Sequence, residues 1–274
     1  MFGGWVGDRF GPRKTLFVCG LIWAAATILT GFAGGLVSLF LVRVLLGIGE
    51  GATFPVATRA MQSWTIPARR GFAQGITHAF ARFGNAVTPP LVAWLIALVT
   101  WRGSFVTLGC VSVLWVVAWV WYFRDVPASH PGMTPALLEP LPNHGQPLAV
   151  IMAGFLGSFI CLLPMFLTTD LTIITLALGA AFFCAELVIG PMWSIPMDIA
   201  GKYSGTASGL MNTGSALAAI LSPLAFGIIA DMTGDWVLPF VGSLGLLLLG
   251  AALSPFMHPE RPFVDPAPAL DARV

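Results

Sequence analysis

Two opposite charges stand seven residues apart in an apolar stretch, residues 41–55, which runs Leu-Val-Arg43-Val-Leu-Leu-Gly47-Ile-Gly49-Glu50-Gly51-Ala-Thr-Phe-Pro55. At about 3.6 residues per turn, seven positions come to roughly 700°, so on a helix Arg43 and Glu50 share a face about 10 Å apart. Gly47 lies between them on that face. A charge at mid-bilayer costs about 2.5–3.5 kcal/mol even on lenient insertion scales, and such residues mark ion or substrate pathways. Arg43 presents a planar fork that fits a carboxylate. Glu50 presents a carboxyl able to load and release a proton. The bland alternatives are an arginine that snorkels to the interface and a glutamate neutralised permanently by a neighbouring base. A second set, His78, Arg82, Asn85 and Pro89, falls at i, i+4, i+7 and i+11 and forms a polar stripe on one helical face. His78 and Asn85 are candidate substrate contacts. Arg82 either lines the same pathway or neutralises Glu50 or Glu186 across a helix contact.

These residues need elements that hold them inside a membrane, and the composition provides for that. Hydrophobic residues make up 57% of the chain and charged ones 9%, with a mean hydropathy of +0.87. That lies outside the soluble globular range and predicts an all-α, polytopic membrane helical bundle. The net charge of +1 carries no sign of a nucleic-acid partner, which would need a clustered lysine and arginine face, and no such partner is expected. Cys19, Cys110, Cys161 and Cys184 sit in apolar segments without metal-ligand spacing, so they read as small packing residues rather than disulfides or ligands. There is no HExxH, no phosphate-cradling glycine loop and no nucleophile with a base and orienter. The expectation is a non-enzyme without cofactor or metal. Met1 opens directly onto Phe-Gly-Gly-Trp and then charge, which does not read as a signal peptide.

Segments of about 20 apolar residues span a bilayer as helices. Eight are expected, at roughly 15–34, 36–58, 72–99, 103–123, 148–167, 171–195, 205–230 and 237–257. Residues 124–147 carry six prolines and form the one linker, between a four-helix half at 15–123 and another at 148–257. Residues 1–14 read as a cytoplasmic loop and 258–274 as a cytoplasmic tail. With a cytoplasmic N-terminus, Arg9, Arg13, Lys14, Arg59, Arg69, Arg70, Arg124, Lys202, Arg261 and Arg273 fall on the inner side and Arg102 alone outside. The positive-inside rule selects that orientation.

The third helices of the two halves repeat each other. Gly71-x-Ala73-x-Gly75-x-x-His78, then Thr88-Pro89, matches Gly205-x-Ala207-x-Gly209-x-x-Asn212, then Ser222-Pro223, at a constant offset of 134. The repeat adds Asn212, equivalent to His78, as a candidate substrate contact. Gly71/Gly75, Gly205/Gly209 and Gly227 have spacings that allow close helix packing. Parallel repeats belong to transporters that bind substrate between two halves.

Gly4-Trp-Val-Gly-Asp8-Arg9-Phe-Gly11-Pro-Arg13-Lys14 resembles the signature loop of the major facilitator superfamily, which joins the second and third membrane helices on the cytoplasmic side. The resemblance implies that Gly4 and Gly11 allow tight turns and close approach, and that Asp8, Arg9 and Arg13 make contacts at helix ends that hold one gate. Arg43-x-x-x-Gly47-x-Gly49-Glu50 with Phe54-Pro55, Trp101-Arg102-x-x-Phe105, Asp125-x-Pro with His130-Pro131, and Trp193-x-Ile-Pro-x-Asp198 are similar to the anion:cation symporter branch. That branch includes bacterial sugar-acid transporters and the animal sialic acid and vesicular glutamate transporters. The resemblance covers residues 3–257. It implies twelve helices, of which helices 1, 7, 8 and most of 2 have no counterpart here, together with the substrate-binding arginines that the family places on helices 1 and 7.

What the resemblance implies for function is secondary transport of an organic anion, a carboxylate or sugar acid. A proton or Na+ would be the coupling ion, and the bilayer a bacterial inner membrane with both termini cytoplasmic. Arg43, Glu50, His78, Asn85 and Asn212 would line the substrate path, with Glu50 carrying the proton. The alternatives are a fragment without transport of its own that serves as a membrane interaction partner, and, ranked lower, a drug/proton antiporter.

Overall fold

The computed structural model of the protein describes residues 1–127 and 147–263, and the described residues are helical without strands. The helices are α1 (Phe2–Phe10), α2 (Pro12–Thr30), α3 (Leu36–Glu50), α4 (Thr53–Trp64), α5 (Arg70–Tyr122), α6 (Pro147–Leu162), α7 (Leu171–Ile199), α8 (Ser204–Thr233) and α9 (Leu238–Leu253). Most of the expected linker, including His130 and Pro131, and the tail beyond residue 263 lie outside the described residues.

Seven helical stretches among the described residues are long and apolar enough to cross a membrane, where eight spans were expected. The difference lies in α5. A straight helix of 53 residues would extend about 80 Å at 1.5 Å per residue. Instead the backbone leaves helical geometry at Val99 and at Thr100, where φ is +66°. The bend folds the helix back: Trp64, just before α5, donates its indole N–H to the carbonyl of Arg124, just after it, at 2.9 Å. The arms 70–98 and 101–122 are therefore the two separate spans expected there. A β-branched residue at positive φ is strained, and here it marks the point of reversal.

Two other elements differ from expectation. Residues 1–14, expected as a loop, are helical from Phe2 to Phe10, and only Gly11 turns the chain into α2. Gly11 has φ +86°, and a Cβ there would lie 2.8 Å from the Asp125 carboxylate, so both backbone and space demand glycine. The segment 36–58 breaks at Gly51–Ala52 into α3 and α4. Pro55 supplies no N–H to the carbonyl of Gly51, which removes the bond that would have carried the helix through. Arg43 and Glu50 lie before the break, on one continuous helix.

The N-terminal half is packed by α2 against α3, α4 and the second arm of α5. Leu16, Ala52 and Val56 form a buried cluster flanked by Cys19 and Trp119. Trp115, Trp119 and Phe123 stack at centroid spacings of 5.7 and 4.1 Å beside it. In the C-terminal half, α6 packs on α7 and α9. Leu36, Phe80, Leu114, Trp121 and Leu167 remain largely exposed, as side chains facing lipid tails do.

The halves meet along α5–α7, α1–α8 and α4–α8. Glycine sets the closest approaches. A Cβ on Gly190 would stand 3.1 Å from the Gly71 carbonyl and the Gly75 Cα, and one on Gly205 would stand 2.7 Å from the Gly4 carbonyl. The two glycine pairs of the repeat thus each press against a helix of the opposite half. Gly227, expected to do the same, faces open space and takes no part.

Candidate functional site

A polar seal joins the halves at the end where α1 meets α8. The carboxylate of Asp8 accepts the backbone N–H groups of Gly205 at 2.9 Å and Thr206 at 2.6 Å, and the Thr206 hydroxyl at 2.6 Å. An acid at the opening of a helix satisfies orphan N–H donors and opposes the positive end of the helix dipole. Arg59 of α4 stands 3.5 Å from the same carboxylate and donates to Gln62 at 2.7 Å. Gln62 in turn accepts the Ser204 hydroxyl at 3.1 Å. Arg70 of α5 pairs with Asp198 of α7 at 2.7 Å. Deeper in, the Gln74 amide donates to Thr58 of its own half at 3.1 Å and to the Trp193 carbonyl of the other at 3.5 Å.

The remaining motif residues divide. Gly4 packs on Gly205, and Arg13 donates its backbone N–H to Asp125 at 2.8 Å and its guanidinium to the Val120 carbonyl in the last turn of α5. Arg9 takes no part in the seal and lies over the rings of Trp5 and Phe10.

Above the seal, an aromatic floor closes the interface. His78 stacks on Phe54 with centroids 5.0 Å apart, and Trp193 of the other half leans on both, at 5.2 and 5.7 Å. His78 is 8% exposed, and its Nε2 is buried with no hydrogen-bond partner among the described residues. Over this floor lies a cleft of about 530 Å³ between the halves. His78, Arg82 and Asn85 of α5 line one side, Asn212 and Ser215 of α8 another, and Met192 and Trp193 of α7 a third. Three of the five residues expected on the substrate path, His78, Asn85 and Asn212, therefore meet in one space, and two of them, His78 and Asn212, come from equivalent positions of the two halves. Arg82, left open between two roles, does both: it lines the cleft and its Nε donates to Glu186 at 3.0 Å.

Arg43 and Glu50 lie elsewhere. Both are exposed on α3 and do not line this cleft. Arg43 sits over the Phe105 ring at 5.5 Å, and no ion pair joins it to Glu50. Gly47 between them has nothing within 4 Å, whereas Gly49 on the opposite face abuts Trp23 and Cys19 of α2. The charged face of α3 is uncovered among the described residues.

Phe54 and Trp193 were singled out only as motif residues of the symporter branch, without a place at the site, and Gln74 was not singled out at all. A signal for Gln74 was present, since the repeat offset of 134 pairs it with Ser208, and both are polar residues buried to 1% or less.

The signature loop, the internal repeat and the cleft between halves now bear on kinship. The sequence profile of the Major Facilitator Superfamily matches residues 1–142, just over half of the chain. The probable sulfoacetate transporter SauU of Cupriavidus necator is 35% identical across 94% of this chain and 81% of its own length. The chain belongs to the major facilitator superfamily. It is an integral, multi-pass membrane protein, as superfamily kinship and its apolar helices require. It is also similar to the hexuronate transporter of Bacillus subtilis, 30% identical over 53% of this chain, and to the D-galactonate transporter of Escherichia coli, 32% identical over 52%. Those matches span 35% and 33% of the two relatives' lengths. The alignment with SauU is 349 positions long, and 94% of this chain is about 258 residues, so about 91 aligned positions have no residue here.

Proposed function

We propose that the chain acts as a secondary transporter that moves a small organic anion, a carboxylate or sugar acid, with protons, by alternating access to the cleft between its halves. The observation that carries this reading is the cleft itself: two amides, a histidine and an arginine surround about 530 Å³ above an aromatic floor and a polar seal. Convergent polar groups in a concave, otherwise apolar space suit a small hydroxylated anion. The printed names of the relatives fit that chemistry, since sulfoacetate, hexuronate and D-galactonate are all small organic anions. In this reading Arg43 meets the substrate carboxylate and Glu50 carries the coupling proton on the exposed face of α3, outside the cleft. His78, Asn85 and Asn212 hold the hydroxyls, and Gly4, Asp8, Arg9, Gly11 and Arg13 form the cytoplasmic gate region. The membrane is the bacterial inner membrane, with the Asp8 side facing the cytoplasm. Na+ is the alternative coupling ion.

A second reading is favoured by the uncovered face of α3 and the 91 or so positions of SauU without a counterpart. It is a chain without transport of its own that persists as a fragment or membrane interaction partner. Uptake of labelled sulfoacetate, hexuronate and galactonate into proteoliposomes under an imposed proton gradient separates the two. Transport predicts gradient-driven uptake that falls at least about tenfold in Glu50→Gln, the equivalent of about 1.4 kcal/mol. Undiminished uptake by Glu50→Gln removes Glu50 from coupling. No uptake, and no thermal stabilisation of the purified chain by any of the three anions, leaves the second reading standing.

A further inference from the structure

We infer that Arg82 is the anion receptor of the cleft and Glu186 the acid it releases, so that each bound anion brings one proton onto Glu186. The inference rests on the transport reading and adds to it a site on α5 and α7 distinct from Arg43 and Glu50.

The pair is placed for this role by the register of two antiparallel helices. Arg70 of α5 meets Asp198 of α7, and twelve residues further along each helix Arg82 meets Glu186. Twelve residues rise about 18 Å, which puts the second pair well into a hydrocarbon core about 30 Å thick. The shallow pair belongs to the polar seal. The deep pair stands where an ion pair is expensive to maintain and where the cleft opens beside it.

Arg82 faces two spaces at once. It lines the 530 Å³ cleft with Asn85 and Asn212, and with Glu186 and His78 it lines a second space of about 570 Å³. Only its Nε is committed, to Glu186 Oε2 at 3.0 Å, while its Nη groups donate to nothing among the described residues. The guanidinium is half-exposed at 48% and the glutamate 22%. The arginine thus has a free, fork-shaped edge available to a ligand, and a carboxylate or sulfonate fits that edge with two parallel hydrogen bonds.

Charge balance does the rest. Before binding, Arg82 and Glu186 sum to zero. An entering monoanion that takes over the guanidinium leaves Glu186 as an uncompensated carboxylate, and a group in that position sheds its charge by taking up a proton. Loaded, the site holds the guanidinium, the anion and a neutral carboxyl, again summing to zero. The proton arrives from the same water as the anion and leaves when the anion leaves and Arg82 returns to Glu186.

Among the described residues no other charge stands ready to substitute. On α5, His78 is the one further titratable group lining the same spaces. From α6 comes Cys161 alone, and α7 itself adds Cys184 and Asp198, the latter held by Arg70. The one charged residue of α4, Arg59, sits at Asp8. Asp231 of α8 lies toward the opposite end of that helix from Asn212, and Lys202 and Tyr203 follow α7 sixteen residues or more beyond Glu186.

The test is proton uptake on binding. The purified full chain in detergent, in weak buffer with a pH dye, is titrated with D-galactonate, a hexuronate and sulfoacetate. Glu186→Gln is expected to bind the monocarboxylates at least as well as wild type while taking up one proton fewer per anion. Its Kd loses a tenfold-per-pH-unit dependence present in wild type. Arg82→Lys, which keeps the charge opposite Glu186 and so guards against simple misfolding, weakens binding at least tenfold, and Arg82→Gln more. Unchanged proton uptake in Glu186→Gln, or wild-type affinity in Arg82→Gln, overturns the inference and leaves the transport reading intact. Failure of the wild-type chain to bind any of the three anions overturns the transport reading, and this inference with it.

Discussion

If the seal around Asp8 holds one side of the transporter shut, removing that carboxylate must open it by a calculable amount. Asp8 is 7% exposed at its side chain and accepts three hydrogen bonds from the first residues of α8, with Arg59 beside it. Hydrogen bonds to a charged acceptor contribute about 1.5–3 kcal/mol each in isolation, but they are not additive. Loss of a helix N-cap alone costs about 0.5–2 kcal/mol. Asp8→Ala leaves two N–H groups and a guanidinium without their acceptor, so about 2–4 kcal/mol is the reasonable total for the closed form. Each 1.4 kcal/mol or so is tenfold, which gives an increase of roughly 30- to 700-fold in the open-to-closed ratio. Asp8→Asn keeps one acceptor oxygen and loses the charge, for about 1–2 kcal/mol, or roughly 5- to 30-fold. The reporter is Ser208→Cys, a position on α8 with no exposed surface in the closed form. Cys19, Cys110, Cys161 and Cys184 are replaced in this background, and labelling by a membrane-impermeant maleimide is timed from the Asp8 side. Labelling through transient opening follows the open population, so the rate should climb in the order parent, Asp8→Asn, Asp8→Ala. An Asp8→Ala protein that labels at the parent rate refutes the seal.

Two further outcomes follow from particular contacts. Gly190→Leu forces a side chain into the α5 backbone 3.1 Å away and should lower stability by about 1–3 kcal/mol, whereas Gly227→Leu, facing open space, stays within about 0.5 kcal/mol of wild type; denaturant unfolding in micelles reads both. At the exposed start of α7, the backbone N–H groups of Ile173 and Thr172 hold the Asp170 carboxyl below the usual carboxylate range, so its charge stabilises that helix end fully above about pH 4 and the contribution is lost as pH falls through the lowered value. Asp170→Asn should therefore track wild type at the acid extreme and fall short of it only at higher pH, and an identical shortfall at every pH contradicts the assignment.

The spans were legible because hydrocarbon demands long apolar runs, and seven or eight of them stand out in any window of suitable length. The cleft was partly legible too. The repeat pointed to His78 and Asn212 together, and both line the same space. What misled was glycine. Gly3, Gly4 and Gly7 read as a loop, yet Cβ atoms there would strike Ala52, Gly205 and Val56. Their smallness answers to neighbours far along the chain, which local pattern cannot reveal. Glu186 stayed one of two candidate partners of Arg82, beside Glu50, for a related reason. Its partner is fixed by the antiparallel register of α5 and α7, and that register is set by contacts between halves whose spacing has no sequence period. Arg43 and Glu50 share a helix as read, but nothing among the described residues covers their face.

A physical division runs through the contacts. Inside the halves, the helix flanks meet on apolar and aromatic faces, Trp23 on Trp115, Trp115 on Trp119, Trp119 on Phe123, and Phe226 against Phe240, and polar contacts such as Arg13 to Asp125 and Trp64 to Arg124 gather at helix ends. Between the halves it is polar or bare backbone: Asp8 on the start of α8, Gln62 with Ser204, Arg70 with Asp198, Arg82 with Glu186, and glycine against glycine. Polar contacts exchange for water at small net cost when an interface opens, whereas stacked tryptophans have no comparable partner in water. Halves built this way separate along their seam before they come apart internally. The exception is the Phe54, His78 and Trp193 floor, which crosses the seam with ring faces. Its place, between the seal and the cleft, is where a transporter needs a contact that excludes water rather than one that welcomes it. The Nε2 of His78, which has no partner among the described residues, lies within that floor, so water reaching it should mark the moment the seam opens.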